Sequence, residues 1–308
     1  MSKKISRRDF IAFGAGVATT IGSALAFNQW ASRDVPIARP DGSKVNVFLH
    51  IPKTGGTSLR EHIMNNVKAH QITMPEQPEN IYQLKKNYSH ALNHYDYIYV
   101  RGHFAHDWQR FLNSYKEETQ CFTMLRNPIS RFRSSYQYQI ENWLTKDSYI
   151  ESVAARSPKN FSDVIEIYDA DSRLPAHKYN KFFFEYNDGM TRRLCGADWN
   201  VPYRQTTPAM LEAAKANLKN RFKIIGVTED YNKFLFLLKN EFDWDIKPSI
   251  RKNAAKKKMP ISDADRLKMA ELNQLDIELH AYAKQLSARL FEALSPAQKQ
   301  AYNAFITV

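Results

Sequence analysis

A chain of 308 residues that is 43% hydrophobic and 25% charged, with only 10 Gly and 13 Pro, has an ordinary globular composition; collagen-like, low-complexity and largely disordered architectures are excluded. Its two cysteines, Cys121 and Cys195, allow one bridge at most and lie in no zinc-ligand spacing, which excludes a disulfide scaffold and a zinc module. The 44 Lys and Arg against 32 Asp and Glu leave a formal charge of +12, so the expected partner is an anion: phosphate, sulfate, acidic glycan, nucleic acid or lipid headgroup.

Residues 1–30 read as a signal or membrane anchor. Lys3, Lys4, Arg7 and Arg8 form a basic start, and Phe10 to Phe27 runs without a charge. Ser6-Arg7-Arg8-Asp9-Phe10 has the paired arginines of a twin-arginine export signal, and Ala24-Leu25-Ala26 supplies small residues for a peptidase. Uncleaved, the same run reaches the lower limit of a membrane span, with its basic end held in the cytoplasm. Residues 31–44, with two prolines and a glycine, read as a linker, and one domain is expected over 45–308.

Within that domain, Val45 to Ile51 is a β-branched apolar run that predicts a buried strand, and Thr57 to Val67 carries a helical pattern in Leu59, Ile63 and Val67. Further strands are predicted at Tyr97–Val100, Cys121–Leu125 and Lys223–Val227. Helices are predicted at Pro128–Leu144, Pro208–Leu218, Tyr231–Glu241 and, as one long element, Asp263–Leu294. Strands separated by helices predict an α/β, three-layer fold: a central parallel sheet flanked by helices, with a helical C-terminal region.

Two strand-to-helix loops carry the chemistry. The first, Ile51-Pro52-Lys53-Thr54-Gly55-Gly56-Thr57-Ser58-Leu59, brings a cation, two glycines and three hydroxyls to a helix N-terminus, where backbone N–H groups and the helix dipole attract an anion. Gly55 and Gly56 let the backbone approach closely, and Thr54, Thr57 and Ser58 can donate to phosphate oxygens. Ser58 with Glu61 also reads as a capping box, a role compatible with binding. Lys53 precedes the glycines, whereas a Walker A loop places its lysine after them, which argues against an ATPase or kinase. In the second loop, Asn127 is a good N-cap, Pro128 fits the first helical position, and Arg126 falls where strand becomes helix. Ile129, Phe132, Tyr136, Ile140 and Trp143 form one apolar stripe that leaves Arg131 and Ser134 off the buried face; Arg131 and Arg133 read as a solvated basic face.

The first loop resembles the 5′-phosphosulfate loop of the PAPS-dependent sulfotransferases (PAPS is 3′-phosphoadenosine 5′-phosphosulfate). It is most similar to the carbohydrate branch that includes heparan sulfate 2-O-sulfotransferase. The resemblance implies a P-loop-like fold, and it implies that Lys53, Thr54, Gly55, Gly56, Thr57 and Ser58 hold the 5′ end of the donor. Arg126 and Ser134 match the first and last members of that family's R-N-P-x-x-R-x-x-S pattern for the 3′-phosphate. Gly102-His103-Phe104 is similar to the segment that supplies the family's catalytic base, and Met190 to Gly196, Ile225 to Glu229 and Asn273 to Ala283 match weaker patterns. Arg101 stands where the 2-O enzyme has an additional histidine, so that enzyme's own substrate does not carry over.

Sulfuryl transfer needs a base for the acceptor hydroxyl and a cation for the leaving phosphate. His103 has the pKa range for the first role and Lys53 the compact charge for the second, with no metal required. His50, at a strand end, reads as structural. His103-x-x-His106-Asp107 also admits a metal reading, with His106 as second-choice base, but no third ligand follows from the sequence. Lys178 to Tyr186 mixes aromatic rings and cations as a sugar groove does, and equally reads as a half-buried amphipathic segment. Arg251, Lys252, Lys256, Lys257 and Lys258 read as a loop over the 3′-phosphate or as a solvated charge run. The expected partner is a carbohydrate or other hydroxyl acceptor, including an acidic glycan, with membrane association through the N-terminal segment; no nucleic-acid motif is present. A catalytically inactive binder of anionic glycans or nucleotides on the same fold, and a P-loop nucleotide kinase, are the alternatives. The signal leads away from the cytosol while the donor is expected there or in a lumen supplied by a transporter, so the working face of the membrane stays open, the cytoplasmic one included.

Overall fold

A computed structural model describes residues 44–66, 70–73, 97–102, 119–143, 148–172, 185–196, 201–249 and 259–307. The signal or anchor segment and nearly all of the linker therefore lie outside the described residues, as do His103, His106, Lys178 to Phe184 and the 251–258 charge run. Among the described residues no helix is long and apolar enough to cross a membrane.

Five strands form one parallel sheet: β1 (Lys44–Leu49), β2 (His70–Thr73), β3 (Tyr97–Gly102), β4 (Thr119–Leu125) and β5 (Ile224–Val227), in the order β2-β3-β1-β4-β5. After β1 the chain runs out to the β2 edge, returns to β3 beside β1, then crosses to β4 and β5 on the other side. The winding thus reverses between β1 and β4, and ligands of open α/β sheets bind at such a reversal, outside the strands' C-terminal ends. The register there pairs Leu49 with Thr123, whose hydroxyl donates to the Leu49 carbonyl at 2.9 Å. The α/β reading holds, and the strand bounds agree to within about two residues; β2 carries too short a signal to have been found.

Alternation along β1 divides the core. Val47 and Leu49 face a layer that includes α5 (Gly189–Cys195), α6 (Pro208–Arg221) and α9 (Gln274–Glu292). Phe48 faces the opposite layer with α1 (Gly56–Asn66), α7 (Tyr231–Phe242) and α10 (Pro296–Ile306). A third cluster joins α2 (Pro128–Trp143), α3 (Ser148–Ala155), α4 (Phe161–Asp171) and α8 (Asp263–Leu272). Both cysteines are buried as free thiols. Capping sets many of the bounds: Thr207 accepts from the Met210 N–H ahead of Pro208, and Ser262 with Asp265 and Ser295 with Gln298 form full capping boxes.

The long helix expected over 263–294 is two. It breaks at Asn273, whose side chain donates to the Met269 carbonyl and accepts from the Asp188 N–H. Those bonds hold Asn273 out of helical geometry, so α9 starts afresh and its Asp276 accepts from the N–H groups of Met190 and Thr191, capping α5 from a distance.

Gly226, in the middle of β5, is a glycine for space: a Cβ there would sit 2.2 Å from the ring of Phe234, which is fully buried. Gly226→Ala is expected to lower stability by about 1–3 kcal/mol through overpacking, read as a drop in the urea midpoint at unchanged slope.

Candidate active site

The two predicted loops meet at the β1–β4 reversal. In the first, Lys53 and Gly55 take positive φ values of 65° and 95°, a sharp turn that delivers the chain into α1 at Gly56. A lysine in the left-handed region carries a strain of about 1 kcal/mol or more, typical of backbone held in place by its surroundings. Gly56 is required by His50: an added Cβ would lie 2.1 Å from that imidazole, which stacks on Phe48 at 5.4 Å between ring centres. His50 is accordingly a buried structural residue that shapes the loop. Thr54 is fully buried and its hydroxyl donates to the Ile51 carbonyl at 2.8 Å, so it braces the turn. Thr57 and Ser58 are exposed in the first turn of α1. Because α1 begins at Gly56, Ser58 lies inside the helix and is not its N-cap; the capping-box reading is corrected.

In the second loop, Asn127 caps α2 as expected, its Oδ1 accepting from the Ser130 N–H at 3.1 Å. Arg126 reaches across to donate from Nη1 to the Lys53 carbonyl at 3.0 Å, so the two loops touch directly. Burial, then the nearby Arg126 charge, lowers the Lys53 pKa, with Glu141 opposing. Burial also lowers that of Arg126, partly offset by Glu229 and reinforced by Arg133 and Arg131. The Lys53 ammonium lies 3.7 Å from the centre of the Tyr138 ring, two turns further along α2 than Arg131. Ser134 is half-buried on the same helix.

Arg131 corrects the sequence reading. It is 2% exposed, not solvated, and pairs at 3.0 Å with Glu185, which Arg193 also binds. With Ser135 and Gln139 it forms a buried polar line at four-residue spacing beside the apolar stripe of Ile129, Phe132 and Tyr136. A search for apolar periodicity alone misses such a line, and α2 is anchored along both.

Two residues that the sequence placed only in a weak pattern complete the site. Thr228, just beyond β5, contacts carbonyls of both loops, and Glu229 Oε1 accepts from the Asn127 N–H at 2.8 Å while its Oε2 accepts from His280 at 3.1 Å. Burial pushes the Glu229 carboxyl up, but the bonds from His280 and from backbone N–H groups outweigh it and hold the group at about 2. Of the remaining candidates, β3 ends at Gly102, which pairs with Leu49, so the chain leaves the sheet at the same edge as the first loop. His103 follows immediately and is outside the described residues. Among the described residues no group of three His, Cys, Asp or Glu is placed to hold a metal ion.

This is a P-loop-like arrangement with the lysine ahead of the glycines and an arginine on the neighbouring loop. A family model described as the sulfotransferase family matches residues 40–283. The chain belongs to the sulfotransferase family. Mouse heparan-sulfate 6-O-sulfotransferase 3 is 26% identical to this chain over 276 residues, covering 80% of this chain and 58% of the mouse protein. Chicken heparan-sulfate 6-O-sulfotransferase 2 is 24% identical over 288 residues, covering 84% of this chain and 70% of that one. A crystal structure of a sulfotransferase from Alicyclobacillus acidocaldarius is similar at a TM-score of 0.45 and 14% identity, over 85% of this chain and 99% of that one. The chain thus spans little more than half of the mouse relative. These relatives are named as 6-O enzymes, whereas the carbohydrate branch that the first loop resembles is represented by a 2-O enzyme. PAPS is the general donor of the family.

Glu185 provides a test of how α2 is held. Burial raises its pKa, and Arg193 and Arg131 more than reverse this, so the carboxyl lies below its ordinary 4.5. A folded pKa below the unfolded one means the ion pairs contribute fully above about pH 4.5 and fade as the pH falls through the lower, folded value. Glu185→Gln is expected to cost about 3–5 kcal/mol at pH 7 by removing the carboxylate that two buried guanidiniums share. In urea titrations the gap between wild type and variant should narrow below pH 4.5.

Proposed function

We propose that this chain transfers a sulfuryl group from PAPS to a carbohydrate hydroxyl. The observation that carries the reading is the contact between the lysine-first glycine turn and Arg126 at the β1–β4 reversal. That geometry fits a ligand with two anionic ends. Backbone N–H groups at the start of α1, unobstructed by side chains at Gly55 and Gly56, suit the 5′-phosphosulfate, and Arg126 with Ser134 suits the 3′-phosphate. The 6-O-sulfotransferase relatives, named for heparan sulfate, support a glycan as acceptor.

In the reaction so read, the acceptor oxygen attacks sulfur as the bond from sulfur to the 5′-phosphate oxygen breaks. The acceptor proton passes to the His103 imidazole, and the electron pair of the broken bond stays on adenosine 3′,5′-bisphosphate. Lys53 neutralises the charge growing on that oxygen, an effect worth about 3–4 kcal/mol where a comparable oxyanion donor has been removed. Burial, then the Arg126 charge, lowers the Lys53 pKa, and an anion bound beside the ammonium opposes that shift.

The full chain is expected to move labelled sulfate from PAPS to at least one member of a panel of unsulfated and sulfated oligosaccharides. Lys53→Ala and His103→Ala should each lower kcat by about a hundredfold or more. Tight binding of adenosine 3′,5′-bisphosphate without turnover on any acceptor would favour the inactive binder instead. No binding would sink the reading.

The same proposal extends to location: residues 1–30 act as a twin-arginine export signal or anchor, on the support of Arg7-Arg8 and the uncharged Phe10–Phe27 run. In a bacterium with a twin-arginine translocon the chain should fractionate with the membrane or periplasm. Lysines at both positions should retain it in the cytoplasm, and unchanged fractionation would remove the export reading.

A further inference from the structure

One side chain touches both loops. Thr228 Oγ1 lies 2.7 Å from the Thr54 carbonyl oxygen and 3.0 Å from that of Leu125, the residue before Arg126. A hydroxyl has one proton to donate, so a single proton is shared between the two phosphate loops. The side chain also lies beside the turn: its Cγ2 is 3.7 Å from where a Cβ on Gly55 would be. Thr228 is itself fixed, because it follows Val227, which pairs with Leu125, and precedes Glu229, which holds the Asn127 N–H.

We propose that Thr228 is a positioning residue that sets the spacing of the two anion sites, so that the chain reads both phosphates of one nucleoside 3′,5′-bisphosphate together. The inference rests on the functional reading above. Each site has its own donors and none of them is the Thr228 hydroxyl. A ligand whose two phosphates are a fixed distance apart gains the second contact in full only when the loops already stand at that distance. Thr228 therefore acts on the linkage between the sites and on neither site alone.

The test is calorimetric titration of the full chain with adenosine 3′,5′-bisphosphate, adenosine 5′-monophosphate and adenosine 3′-monophosphate, a weak monophosphate being scored by competition against the bisphosphate. Thr228→Val removes the hydroxyl at constant shape, and Thr228→Ala removes it without a branched replacement. In both variants the bisphosphate Kd is expected to rise about tenfold, or about 1.4 kcal/mol, with each monophosphate within about twofold of wild type. Thr228→Ser, which keeps the hydroxyl, should restore the bisphosphate affinity. Equal weakening of all three ligands marks general damage to the loops and overturns the proposal, as does an unchanged bisphosphate Kd in both variants. Failure of the wild-type chain to bind the bisphosphate overturns the functional reading and this inference with it, whereas wild-type binding with unaffected variants overturns the inference alone.

Discussion

Like charges held close together before any counter-ion arrives are the constraint that organises this site. Lys53 and Arg126 sit on adjacent loops, with Arg131 and Arg133 one to two turns away, and the pKa values of Lys53 and Arg126 are lowered first by burial and then by neighbouring charges. Left to themselves the loops would separate. The parallel pairing of β1 with β4 prevents it, and so do the Arg126 bond to the Lys53 carbonyl and the Thr228 hydroxyl. Two of the carboxylates nearby are engaged behind the site: Glu185 binds Arg131 and Arg193, and Glu229 binds the α2 N-terminus and His280. An anion entering between the loops meets a field that the sheet, and not the ligand, has been made to assemble.

The rest of the molecule reads as the means of holding that arrangement still. Helix α2 carries Arg126 at its entrance and Ser134 two turns in, and it is buried along an apolar stripe and a polar line at once. The polar line continues through Glu185 toward the buried group of Asp188, Asp276 and Asn273, where the C-terminal helices begin. Burial first, and then Asp276, raise the Asp188 carboxyl to about 6, with the Thr206 hydroxyl opposing. The C-terminal helices thus reach the loop architecture through hydrogen bonds as well as apolar packing.

How much of this was legible in the sequence follows from the range of each interaction. The strand-turn-helix units at 48–59 and 121–136 were readable because glycine, proline and an N-cap asparagine act within a few residues of themselves. The parallel sheet followed from the alternation of strands and helices. Arg131 was misread because its burial depends on Glu185, 54 positions away, and a hydrophobic pattern is silent about charged residues paired in a core. The break at Asn273 was missed because the helical period runs on across it, while the bonds that interrupt it come partly from Asp188. Thr228 and Glu229 were visible only as a faint family pattern, since their partners Thr54, Leu125 and Asn127 come into reach only when β5 closes against β4. The first loop's hydroxyls also divided in a way no spacing indicates: Thr54 turns inward to brace the backbone, and Thr57 and Ser58 face out.

The position of the Lys53 ammonium over Tyr138 bears on how quickly the site can respond. A cation on an exposed aromatic face is held by about 0.5–1 kcal/mol, whereas a charge-assisted hydrogen bond to an oxyanion is worth about 1.5–3 kcal/mol. Transfer from ring to an anion is therefore downhill and needs only rotation about side-chain bonds. The ring is 44% exposed, and the lysine has a berth to return to when an anion departs. The exchange of ring for anion is confined to one side chain, and the bonds that join the two loops, Arg126 to the Lys53 carbonyl and Thr228 to those of Thr54 and Leu125, lie outside it.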